Sequence, residues 1–128
     1  MTIADHLQRT NKFMIGFDLA LGLGALLAPT TTLRVLGHEE PSPDAEELFR
    51  RCGPIWLTFA AAHLVAERRG TAADWQSLAW LRGTEIATDA LWSRSRAVSR
   101  PGAKLALWGA GVSNLSMALG FAWLARSR

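Results

Sequence analysis

The sequence has no tyrosine and a single cysteine, Cys52. One thiol excludes an internal disulfide and any zinc site built on cysteines. The histidines, His6, His38 and His63, are scattered, with no His-x-x-x-His or Glu-x-x-His spacing, so no metal is assigned. No Gly-x-Ser-x-Gly, phosphate-binding loop or dinucleotide fingerprint occurs, and no cofactor is expected; "GLGA" at 22–25 lies inside an apolar stretch and reads as a packing feature. The net charge is +3, but no basic block alternates with aromatics, which argues against nucleic acid as a partner. Arg68-Arg69 and the series Arg94, Arg96, Arg100, Lys104 instead flank apolar segments, a placement that suits lipid headgroups. The opening "MTIADHLQRTNK" carries acid and polar groups without a small-residue cleavage site, so no removable leader is expected.

Charge is also missing from two long runs. None occurs between Lys104 and Arg126, and only Asp18 interrupts the run between Lys12 and Arg34. At 1.5 Å per helical residue each run spans roughly 31 Å, the thickness of a bilayer's hydrocarbon core. A chain of 128 residues forms one domain, 1–128, with no room for a second core.

Four helical segments and no strand are expected. The first begins at Thr2, with Asp5 placed for a capping box, and ends at Ala28-Pro29. Its small residues Gly16, Ala20, Gly24 and Ala28 recur every four positions and form a face for close helix approach, or for association with another copy of the chain or a partner. "TTTLRVLGHEEPSPD" reads as a loop. The second segment starts at Ser42-Pro43 and runs to about Arg69, with a kink expected at Gly53-Pro54 because proline frees the carbonyl of Arg50. The third covers about Ala72 to Trp92, and the fourth runs from Pro101-Gly102 to near Ala125.

The expected fold class is therefore all-α, a four-helix transmembrane bundle with a proline-kinked second helix, in the cell membrane as a multi-pass protein. A soluble bundle is the alternative; against it, the fourth segment is apolar around nearly its whole circumference. Trp108 and Trp123, with Trp75 and Trp92, are placed like two interfacial belts, while Trp56 and Trp80 fall deeper and read as packing residues or pocket walls. Basic residues nearly balance at the two ends of the helices, so orientation is not assigned.

The third segment, "LAWLRGTEIATDALW", carries Arg82, Glu85 and Asp89 within about 60° of one another on a helical wheel. Charges on so narrow a face must turn inward, since meeting acyl chains costs a few kcal/mol or more. Glu85 and Asp89 are one turn apart and repel unless a cation or a shared proton intervenes. If the charges only pin helix register, the expected pairs are Arg82–Glu85 within the helix and Asp18–Arg51 between helices. If they build a pocket, Glu85, Asp89 and Asp18 are the catalytic candidates. Arg51, Arg82, Trp56, Trp80, His63 and Asn114 are then the ligand-binding candidates. Cys52 reads as a small buried thiol.

The layout resembles the small bacterial four-helix integral membrane proteins, the DoxX-like and related uncharacterised families. The resemblance rests on the Gly-rich first helix ending in "LLAP", on "LFRRCGPIWLTFAAAHLVA" with Arg50-Arg51-Cys52-Gly53, and on a polar third and an apolar fourth helix. It covers most of the chain and implies a fold; it carries no activity to transfer. The carboxylates of the third helix depart from the more apolar family pattern. In residue inventory they are similar to those of small membrane enzymes that cyclise terpenoids or open polyene epoxides.

The leading functional expectation is a membrane protein whose inward pocket binds a lipophilic small molecule and carries acid–base chemistry on it: epoxide opening, cyclisation or isomerisation. The alternatives are a non-enzymatic accessory or partner-binding membrane protein and, third, a proton- or solute-coupled carrier.

Overall fold

A computed structural model describes residues 1–128, all helical apart from short connections and without strands. Helix α1 spans Ile3–Leu27, α2 Pro29–Val35, α3 Pro43–Arg69, α4 Ala72–Ser93 and α5 Pro101–Arg126. The starts follow from side-chain chemistry. The Thr2 hydroxyl accepts from the Asp5 N–H at 3.2 Å, and the Asp5 carboxylate accepts from the Thr2 N–H at 2.7 Å. Ser42 accepts from the Ala45 N–H at 3.2 Å ahead of Pro43, with Asp44 and Glu46 at the positive end of the dipole. Thr71 and Asp74 form a second capping box that starts α4.

One expectation is corrected here. The segment read as a loop contains α2: Pro29 ends α1 because it lacks an N–H, and its fixed φ suits the first turn of a new helix. Helix α3 runs without interruption through Gly53 and Pro54, and the Thr58 hydroxyl donates to the Pro54 carbonyl at 2.8 Å.

The four long helices pack as two antiparallel pairs, α1 with α3 and α4 with α5. The first pair crosses at two glycines: a Cβ on Gly22 would lie 2.9 Å from the Gly53 carbonyl oxygen, and one on Gly53 3.0 Å from that of Gly22. The row Gly16, Ala20, Gly24, Ala28 does not make this crossing. Gly16, Ala20 and Ala28 are exposed, nothing lies within 4 Å of a Cβ built on Gly16, and Gly24 faces Thr32 of α2. Between α2 and α3, Gly37 adopts φ 105° and packs against Ala103 and Val98, a backbone shape that favours glycine. The Arg100 guanidinium donates to the Arg34 carbonyl and ties the start of α5 to the end of α2.

Two apolar clusters fill the interior. One gathers Met14, Trp75, Leu78, Met117, Phe121 and Leu124 where α1 and α4 begin and α5 ends; the other gathers Ala25, Leu33, Phe49, Trp56 and Phe59 toward the opposite end. Trp75 is stacked on Phe121 at 5.6 Å and fully buried, so it is a core residue and not part of an interfacial belt. Helices α1 and α5 are each long and apolar enough to cross a membrane. They turn Phe13, Phe17, Leu23 and Leu27, and Leu105, Trp108, Leu119 and Trp123, outward.

Candidate functional site

A polar layer separates the two apolar clusters. Its centre is Arg82 on α4, 2% exposed, whose Nη2 donates to the Asp18 carboxylate of α1 and whose Nε donates to His63 Nε2 of α3 at 3.0 Å. The guanidinium also lies 5.6 Å from the centre of the Phe59 ring, and the His63 ring meets Phe121 edge-on at 5.8 Å. One side chain thus joins three helices.

The donors fix the histidine. Nε2 accepts from Arg82, so the proton sits on Nδ1, which donates to Asn11 Oδ1 at 2.6 Å. Asn11 Nδ2 then donates to the His63 carbonyl at 3.1 Å and to Glu67 Oε2 at 3.2 Å, and Glu67 meets Lys12 at 3.2 Å. A chain of polar contacts runs from Asp18, through Arg82, His63, Asn11 and Glu67, out to Lys12. Asn11 is fully buried and was not singled out by the sequence. Its place seven residues before Asp18, two helical turns on the same face, was the available signal.

Beside this layer lies a cavity of about 430 Å³ between α1 and α5. Its floor is Asp18, Arg82, Glu85, Asp89 and Asn114. Its walls include Met14, Leu21 and Leu36, the aromatic rings of Trp56 and Trp92, and the small residues Ala103, Ala106 and Ala110 of α5. Phe13 and Phe17, 68% and 47% exposed, stand at the mouth. Helices α1 and α5 touch sparingly, near Leu7 and Gly120, while each packs closely on its own partner.

Within the floor, Asn114 Nδ2 donates to Asp89 Oδ2 at 2.8 Å, and the Trp56 indole sits beside the Glu85 carboxylate. Two buried acceptors have no partner: Asp18 Oδ1 and Asn114 Oδ1. Buried polar atoms are seldom left unpaired, so these two mark where a guest or water would bond. No three His, Cys, Asp or Glu side chains converge at metal-ligand spacing.

The structure brings together Asp18, Glu85, Asp89, Arg82, Asn114 and Trp56, with His63 directly behind Arg82. It does not bring in the other two candidates. Trp80 is 72% exposed on the outer face of α4, half a turn from Arg82, and is no pocket wall. Arg51 is exposed on α3 and forms no salt bridge. The Asp18–Arg51 and Arg82–Glu85 pairs are replaced by Asp18–Arg82, because the α1/α3 crossing at Gly22–Gly53 leaves Arg51 on the outside while Arg82 points across the interior.

At the far end of the cavity an aromatic series runs from Trp56 through Phe49 to Trp92, with rings 5.4 and 6.2 Å apart. Trp92 Nε1 donates to His38 Nε2 at 2.8 Å, and burial pushes the His38 imidazole below its usual pKa. No local signal places His38, which lies in the α2–α3 connection, against α4. Compared with known proteins, the chain matches no family model, no curated protein and no solved structure.

Proposed function

We propose that the chain is a small four-helix integral membrane protein of the DoxX-like kind, whose lateral cavity takes a lipophilic molecule from the bilayer and carries acid–base chemistry on it. The observation that carries this reading is the cavity itself. Its apolar walls end in a floor of three carboxylates and one guanidinium, with two buried acceptors, Asp18 Oδ1 and Asn114 Oδ1, unpaired. The large apolar side chains on the outside of α1 and α5 support the membrane setting, since exposed apolar surface on this scale needs lipid or a partner.

The roles divide by environment. Asp18 is fixed by Arg82 and serves as the standing anion. Glu85 and Asp89, one turn apart, hold one proton between them, and the protonated carboxyl donates to an epoxide oxygen, a carbonyl or an alkene. The other carboxylate accepts a proton from water or a substrate hydroxyl. Trp56 and Trp92 present ring faces to positive charge developing on the substrate.

The test is turnover of lipophilic epoxides, ketones and polyenes by protein in lipid nanodiscs, followed by mass spectrometry. Glu85→Gln and Asp89→Asn each lower it by about 10²-fold or more if they transfer the proton. Unchanged turnover in both, with the fold intact, ends the catalytic reading. An accessory, partner-binding role is the second reading; the exposed Gly16 and Ala20 face favours it. Crosslinking in native membranes that yields one dominant product, lost in Gly16→Leu, would establish it.

A further inference from the structure

We infer that the guest of this cavity is a lipophilic amine bound as its ammonium ion, an inference that rests on the cavity being a binding site. The floor holds Asp18, Glu85 and Asp89 against a single guanidinium, Arg82. Arg82 is already committed to Asp18 and His63 through Nη2 and Nε. Even with one proton shared by Glu85 and Asp89, the floor keeps a negative charge that nothing in the protein balances. Its unpaired buried atoms, Asp18 Oδ1 and Asn114 Oδ1, are both acceptors, and the amide nitrogen of Asn114 donates to Asp89. The floor therefore lacks two things together, a partner donor for each unpaired acceptor and a counter-charge for its surplus acid.

An ammonium group supplies both. It has up to three N–H donors and one positive charge. A carboxylate guest would add a fourth acid to the floor, with no donor for the free oxygens. An alcohol would satisfy one acceptor and leave the charge. The walls extend the match: the indoles of Trp56 and Trp92 line the cavity, a residue type whose ring face attracts a cation, while Met14, Leu21 and Phe17 cover an apolar body. Selection here comes as much from what the floor repels as from what it attracts.

Three probes of one shape separate the possibilities: 1-naphthylmethylamine, 1-naphthylmethanol and 1-naphthoate. Their binding is read by fluorescence titration against nanodiscs holding the whole protein, with empty nanodiscs subtracted. The amine is expected to bind at least about tenfold tighter than the alcohol, with naphthoate weakest. Glu85→Gln, at a half-buried side chain, is expected to shrink the amine-to-alcohol ratio several-fold, and adding Asp89→Asn to bring it near unity. Trp80→Phe, on the outer face, leaves the ratio as it was. If the alcohol or the acid binds as well as the amine, the amine assignment is wrong and the cavity survives as a site for another class. If no probe exceeds empty nanodiscs, the binding site and the assignment fail together.

Discussion

Arg82 on α4 and Asp18 on α1, 64 residues apart in sequence, form an ion pair with both side chains almost fully buried. It is the one such pair in the interior; the pairs of Lys12, Arg50 and Arg69 lie at the surface. Surface pairs contribute little, whereas breaking a buried pair by removing one member costs roughly 3–5 kcal/mol.

Arg82→Leu and Asp18→Leu are each expected to destabilise the fold by about that amount. The double variant is expected to recover most of the loss, because neither member of the pair is left inside without the other. Denaturant titration of the reconstituted protein checks this. A double variant as unstable as the sum of the singles would mean the two groups act separately.

Asn11 is the group that orients His63. Asn11→Ala leaves the Nδ1–H without its acceptor and is expected to cost about 1–3 kcal/mol, far more than its small size implies. Nitrogen NMR of labelled histidine reads the tautomer directly: His63 protonated on Nδ1 and bare on Nε2 in the wild-type protein. The opposite tautomer would mean Arg82 does not donate to this ring.

The Gly22–Gly53 crossing and the Gly16 row make opposite forecasts for the same substitution. Gly53→Ala drives a methyl against Leu26 and the Gly22 carbonyl and is expected to cost about 1–3 kcal/mol. Gly16→Ala meets nothing within 4 Å and is expected to stabilise helix α1 by up to about 1 kcal/mol. Thermal melts of the two variants separate them.

His38 sets an acid limit. Its folded pKa lies below the ordinary imidazole value because burial disfavours the cation, so on acidification the unfolded chain takes up the proton first. Its contribution is complete above the unfolded value of about 6.5 and drains away as pH falls toward the folded value. Stability should therefore drop on the acid side of about pH 6.5, with a change in Trp92 emission as its hydrogen bond to His38 breaks. His38→Gln keeps an acceptor for the indole without the titration, and should remove the His38 share of that drop together with the change in Trp92 emission.

The sequence made the helices legible where a local signal existed. Thr2 with Asp5, and Ser42 with Pro43, cap within three residues and need no tertiary context. The inward stripe Arg82, Glu85, Asp89 was equally readable, since 3.6-residue periodicity alone puts those side chains on one face. Which partner Arg82 takes was not readable. That depends on how α1 crosses α3, and the crossing is set by Gly22 and Gly53, one of several glycine combinations the spacing allowed. Trp80 shows the same limit. Two residues before Arg82 on the chain, it lies on the opposite side of the helix, and depth along the segment says nothing about which side a ring takes. Helix α2 was hidden because three threonines after a proline resemble a loop until packing of Leu33 holds them helical.

The sparse meeting of α1 and α5 gives the molecule a fault line. Each hairpin keeps its own close packing, so the fold is expected to part there first, with the buried guanidinium acting as the clasp that ties one half to the other. Amides of α5 facing the seam should then exchange their hydrogens sooner than those buried against α4.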